Sequence, residues 1–118
     1  MATQGRHINV PSSEQTIDVK MINPVNFGPA QIHRFMTPPV PGLETFPTSP
    51  SLCFLLEHPS GRKLVWDLGI RKDYQNYSPA IAKYIPTTNY DIQVQHNVAD
   101  ILAEGGIDLE RVEAVIWR

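Results

Sequence analysis

Val112-Glu113-Ala114-Val115-Ile116-Trp117-Arg118 has the apolar content of a core strand that returns to a sheet after a helix. The helix is legible just upstream. Asn97 is placed to cap it, and Asp100, three residues on, returns a carboxylate to its first turn. Val98, Ile101 and Leu102 form the i, i+3, i+4 stripe that packs on a sheet. Gly105-Gly106 supplies the stop, and Asp108 to Glu110 make a short connection into the final strand. Strand, helix and strand in this order favour an α/β (α+β) layer arrangement with a mixed sheet.

Further upstream two apolar runs, Ser51 to His58 and Lys63 to Leu68, flank Pro59-Ser60-Gly61-Arg62. Proline and glycine in a four-residue link make a β-hairpin the natural reading. Both runs are apolar on both faces, so both faces are expected to be covered. Ser78-Pro79 opens a short helix through Tyr84, with Ser78 as N-cap and Pro86 as the stop. Ile92 and Val94 suit a brief extended piece.

The amino-terminal part is different. Residues 1–15 are polar and read as a flexible lead-in, followed by a domain over 16–118. Thr16 to Ile22 alternates at period two, which predicts a half-buried strand ended by Asn23-Pro24. Between Asn23 and Pro50 lie seven of the eleven prolines. Proline fixes φ and lacks a donor, so the segment is expected to hold neither a central strand nor a long helix. Its length suggests a functional lid or wrap, because simple connections are shorter. Phe27, Phe35, Met36, Leu43 and Phe46 within it are expected to pack against the body or against a ligand.

Composition narrows the partners. A chain of 118 residues that is 42% hydrophobic and 19% charged is an ordinary globular domain. A net charge of −2 gives no electrostatic reason to expect nucleic acid or an anionic membrane. No stretch is apolar for long enough to span a bilayer, and no secretory h-region is present near Met1. A single cysteine, Cys53, excludes an internal disulfide and fits a reducing compartment, so the cytosol is the expected location.

Few residues offer chemistry. The histidines, His7, His33, His58 and His96, are too far apart for any HxH, HxxxH or HExxH ligand pattern. Cys53, with no basic neighbour, reads as a packing thiol. Ser49, Ser51 and Ser60 lie in no nucleophile elbow. Gly105-Gly106 follows a helix, whereas phosphate loops precede one. Arg62-Lys63 and Arg71-Lys72 read as solvated turn residues, and Trp66 and Trp117 as core. Asp67, at the exit of an apolar strand and two residues before Gly69, reads as a carboxylate accepting backbone amides in a tight turn.

Leu64-Val65-Trp66-Asp67-Leu68-Gly69 together with Asn97 to Trp117 resembles the first half of a metallo-β-lactamase-fold hydrolase, in particular its fungal lactonase- and lactamase-like members. The resemblance covers about residues 16 to 117. It implies an incomplete αββα sandwich with a mixed, mainly antiparallel sheet and one or two helices. In that family the strand corresponding to Val112–Trp117 runs into a His-x-His-x-Asp-His zinc motif. After Trp117 this sequence has only Arg118. The expected catalytic, cofactor-binding and metal residues in this chain are therefore none, zinc being expected for intact relatives. Those relatives open cyclic amides or lactones, or cleave thioesters, with a zinc-bound hydroxide. This chain is expected to be inactive alone and to self-associate through exposed sheet. The rival expectation is a small binding protein that uses the half-fold and the proline-rich segment as its contact surface.

Overall fold

The computed structural model describes residues 8–117. His7 and Arg118 lie outside them, as does the start of the lead-in, residues 1–7. Five strands form one mixed sheet: β1 (Asp18–Gly28), β4 (Ser49–Glu57), β5 (Lys63–Trp66), β6 (Asp91–Val94) and β7 (Val112–Ile116), in the order β6-β1-β4-β5-β7. Two short strands, β2 (Ala30–Gln31) and β3 (Thr45–Phe46), pair separately. Two helices, α1 (Pro79–Tyr84) and α2 (Val98–Glu104), complete the regular structure. Neighbouring strands of the large sheet are antiparallel except β5 and β7, which run parallel. A parallel pair needs a long crossover, and here it contains α1, β6 and α2. The α+β class and mixed sheet expected from the sequence are present.

The β4–β5 hairpin forms as expected, in the register Glu57↔Lys63 to Phe54↔Trp66. His58 N donates to Arg62 O at 2.9 Å and Gly61 N to His58 O at 2.8 Å, with Gly61 at φ +88°. That conformation is open to glycine and strained for most other residues.

Helix α2 also follows its sequence signals. Asn97 N donates to the Asp100 carboxylate at 3.1 Å. At the other end Gly106, at φ +79°, lets Ile107 N reach Leu102 O at 2.9 Å. The chain thereby turns Ile107 back onto the core. Val98 and Leu102 bury against Ile22, Cys53, Leu55 and Val65, giving one apolar layer between helix and sheet.

Three expectations are corrected. Pro24 does not end β1: a bulge between Ile22 and Val25 absorbs it, and the strand continues to Gly28. A bulge leaves its extra residues out of the ladder, so the missing N–H costs no pairing there. Beyond it Val25 to Phe27 pair on both sides, with β4 and with β6, so this part of the proline-rich segment is a central strand after all. Second, β4 and β5 are covered on only one face. Met21, Phe54, Trp66 and Ile116 stand in one row across β1, β4, β5 and β7 on the opposite face, beside Val19, Leu56, Leu64 and Ala114. Met21 is 67% exposed and Val19 56%. Third, β7 is an edge strand, and Trp66 and Trp117 are 40% and 81% exposed, not core. An apolar run tells which residues want burial; it does not tell which layer covers them.

Smaller differences are local. Ser78 precedes α1, yet its side chain makes no capping bond. Past Tyr84 the backbone tightens into a 3-10 turn, Ile85–Thr88, which contains Pro86 and ends at Asn89 with φ +55°. No helix among the described residues is long and apolar enough to cross a membrane.

Candidate functional site

The parallel strands β5 and β7 end side by side, Trp66 opposite Ile116. Side chains and loops at the carboxyl ends of parallel strands are where α/β proteins commonly place their chemistry. Three residues shape this end. Asp67 N donates to Ile116 O at 2.9 Å, which adds a rung to the β5–β7 ladder. Asp67 then turns into the left-handed region at φ +62°, where its Oδ1 accepts Leu68 N at 2.6 Å and Gly69 N at 3.2 Å. An aspartate tolerates that backbone because its carboxylate bonds the local amides. Gly69, at φ +61°, completes the reversal.

The reversal lays residue 69 on the β1 bulge. A Cβ at Gly69 would stand 3.0 Å from Pro24 Cγ, 3.2 Å from Val25 Cγ1 and 3.7 Å from Cys53 Sγ. From there the loop is tied to α2: Lys72 N donates to Asn97 Oδ1 at 2.8 Å. Asn97 thus serves the helix with its backbone and the loop with its side chain. Arg71 pairs with Asp73, and its backbone N donates to Tyr77 Oη at 2.9 Å. The Asp-x-Gly element is a rigid turn of interlocking amide bonds, as the sequence leads one to expect. Its link to Ile116, 49 positions away, has no local sequence signal.

Cys53 is fully buried in β4. Burial, with the Asp67 charge adding to it, pushes its thiol up to about 11. A thiol held protonated in this way is inert as a nucleophile.

The described histidines do not converge. His58 sits in the hairpin turn, where its Nδ1 accepts Ser60 N at 3.1 Å and lies 2.7 Å from Ser60 Oγ. His96 precedes α2, with Nδ1 4.0 Å from Glu104 Oε1 and both side chains more than half exposed. His33 lies in a 3-10 turn after β2. Among the described residues no three His, Cys, Asp or Glu side chains come close enough to hold a metal ion. A cleft of about 200 Å³ opens beside the bulge, lined by Asn23, Pro24, Gln93, Gln95, His96 and Ile101. Its side-chain amides and single imidazole can bind polar groups by hydrogen bonds.

The basic pairs are engaged more closely than solvated turns would be. Arg62 grips Glu113 through Nε at 2.7 Å and Nη2 at 2.5 Å, bridging the hairpin turn to β7. Glu57 is shared by Lys20, at 2.5 Å, and Lys63, at 3.2 Å. Hydrogen bonds from these two ammonium groups hold its carboxyl below the usual range.

No family model and no solved structure matches the chain. Curated proteins do. The chain is 34% identical over 114 residues to a γ-lactamase of Fusarium pseudograminearum, covering 92% of this chain and 27% of that protein. It is 32% identical over 114 residues to a metallo-hydrolase of Annulohypoxylon moriforme, covering 93% of this chain and 29% of the relative. It is 34% identical, again over 114 residues, to a protein of Penicillium brevicompactum named a cytochrome P450 monooxygenase, of which it spans 13%. The chain spans less than a third of the length of each of these relatives.

Proposed function

We propose, on the premise that this chain belongs to the metallo-β-lactamase-like family of the fungal γ-lactamases and metallo-hydrolases, that it forms one layer of a hydrolase acting on small cyclic amides, lactones or thioesters. The observation that carries this reading is the match over more than nine-tenths of the chain to two relatives with hydrolase names. The bare rows Met21-Phe54-Trp66-Ile116 and Val19-Leu56-Leu64-Ala114 support it, since two such rows have the composition of one inner face of a sheet-on-sheet sandwich.

Zinc is the cofactor that the family implies, and when bound it supplies a Lewis acid and a nucleophilic hydroxide near neutral pH. The described side chains do not fit such a site. His33, His58 and His96 sit on separate elements, and the ring nitrogen of His58 is committed to Ser60. What the chain's own residues do is hold form. Asp67 and Gly69 fix the turn at the strand ends, and Asn97 joins that turn to α2. In this reading the metal ligands belong to a part of the hydrolase other than the described residues, and this chain alone turns nothing over.

The name of the Penicillium relative suggests haem chemistry, but this segment is poorly suited to it. Its single cysteine is enclosed in β4 among apolar side chains, out of reach of a haem iron. A cytosolic location accords with that unpaired thiol.

The test is a transplant. The chain replaces the matching 114-residue segment of the Fusarium γ-lactamase, and the chimera is assayed on a γ-lactam with zinc. Turnover supports the reading, and a folded chimera without turnover refutes it. Zinc-dependent hydrolysis by the isolated chain would refute the claim that it is inactive alone.

A further inference from the structure

A second cavity, of about 340 Å³, lies where the proline-rich segment folds back on the sheet. Phe27 of β1, Pro50 of β4 and Ala30 line it together with Phe35, Phe46 and Pro47. Its walls are stiff. Phe27 is braced by Tyr90, with ring centroids 5.5 Å apart, and Ala30 is held to Phe46 by the β2–β3 pairing. The segment can lie this close because residue 28 is glycine: a Cβ there would stand 3.0 Å from Thr48 Cα. Arg34 fastens the far side of the segment, donating to Tyr84 Oη at 3.2 Å and Thr87 O at 3.3 Å.

The chemistry of the lining is unusually uniform. Two other cavities contain histidine, and one of them carries Asp18, Glu57 and Lys63 as well. This one has no ionisable side chain. Its only polar side chain, Ser49, already donates its hydroxyl proton to Pro47 O at 2.9 Å. Phe35 and Phe46 are nonetheless 58% and 38% exposed, so aromatic surface faces the opening.

We propose that this cavity is a binding site for a neutral, apolar small molecule of about one fused-ring system. The volume corresponds to about eleven waters of liquid, which suits such a ring and is too small to seat a helix about 10 Å across. With no charge and no spare donor in the lining, an ionised ligand would lose its hydration without compensation. Phe27 and Ser49 pair four residues along β4 from the level of Asp67, so the cavity opens at the same end of the sheet, about 13 Å along the strands. Resting on the hydrolase reading above, the site holds the non-reacting ring or acyl part of the substrate.

The test titrates the full ¹⁵N-labelled chain with indole, a neutral fused ring, and separately with benzoate, a charged one. Saturable shifts centred on Ala30, Phe46 and Ser49 for indole, and much smaller ones for benzoate, support the site. Phe46→Ala and Phe35→Ala each weaken indole binding about tenfold, and Met21→Ser on the bare sheet face leaves it unchanged. If Phe46→Ala disturbs the fold, Phe35→Ala decides, because its ring is largely exposed. Shifts centred on Val19, Met21 and Trp66, no saturation, or equal response to benzoate overturn the proposal. So does indole release that tracks dimer formation, which would make a second copy the occupant. The titration reads binding without turnover. Its failure removes the site and leaves the hydrolase reading standing, whereas an inactive folded chimera removes that reading and leaves a measured site.

Discussion

Gly69 packs so closely on Pro24 that a methyl group on its α-carbon would meet the proline ring at 3.0 Å. Two costs therefore coincide at position 69, a positive φ and a blocked side-chain volume. Gly69→Ala is expected to lower stability by about 3 kcal/mol. Gly61→Ala, with φ +88° and nothing within 4 Å, bears the backbone cost alone and should lose about 1 kcal/mol. Urea unfolding of the two variants side by side checks this; equal losses would show that the contact with Pro24 is slack.

Asp67 performs two jobs that one substitution can separate. Asp67→Asn keeps an oxygen acceptor for Leu68 N and Gly69 N and a residue that tolerates the left-handed region, so it should cost under about 1 kcal/mol. Asp67→Ala loses both and should cost about 2 kcal/mol. The same urea midpoints decide, and an alanine variant as stable as the asparagine one would show that the amide bonds contribute nothing.

The Cys53 thiol gives a pH signature. Its folded value is about 11 against an ordinary 9.0, so the folded chain holds this proton more tightly than the unfolded chain does. The resulting stability is complete below about pH 9 and is lost as pH rises toward 11. Cys53→Ala, though less stable overall, should therefore lose stability less steeply than the parent over that interval. Parallel slopes in paired unfolding curves would contradict the assignment. A thiol reagent at pH 8 should react no faster than the chain unfolds.

The bare apolar rows should make the isolated chain self-associate. Val19→Lys with Met21→Lys places two charges on exposed positions of that face. Light scattering should show a clear shift toward monomer, with unfolding free energy unchanged to within about 1 kcal/mol, as expected of surface changes. A parent chain that is already monomeric at high concentration would sink the idea.

The local features were the readable ones. The hairpin around Pro59 to Arg62 and both ends of α2 depend on residues within five positions of each other, so sequence order carried them. The turn at Asp67 belongs with these. The β1 bulge was hidden because a proline signals a lost donor, and only the paired strands show that the donor was not needed. The bare face was hidden because Phe54 and Cys53 look alike as apolar residues, although one faces outward and the other faces α2. Arg62 and Glu113 are 51 positions apart, and no spacing rule joins such a pair. Of the candidate site, the turn was visible and its surroundings were not, because the cleft and the aromatic pocket arise from segments that meet only once the sheet has formed.

β1 meets β6 only from Val25 to Gly28, while its pairing with β4 runs from Asp18 to Phe27 across the bulge. One strand thus has two halves of different permanence, joined at the bulge. Amide hydrogens past Pro24 are clamped from both flanks and should exchange with solvent only when the whole sheet comes apart. Those nearer Asp18 have a neighbouring strand on one flank, and should open earlier, in a separate and shallower event.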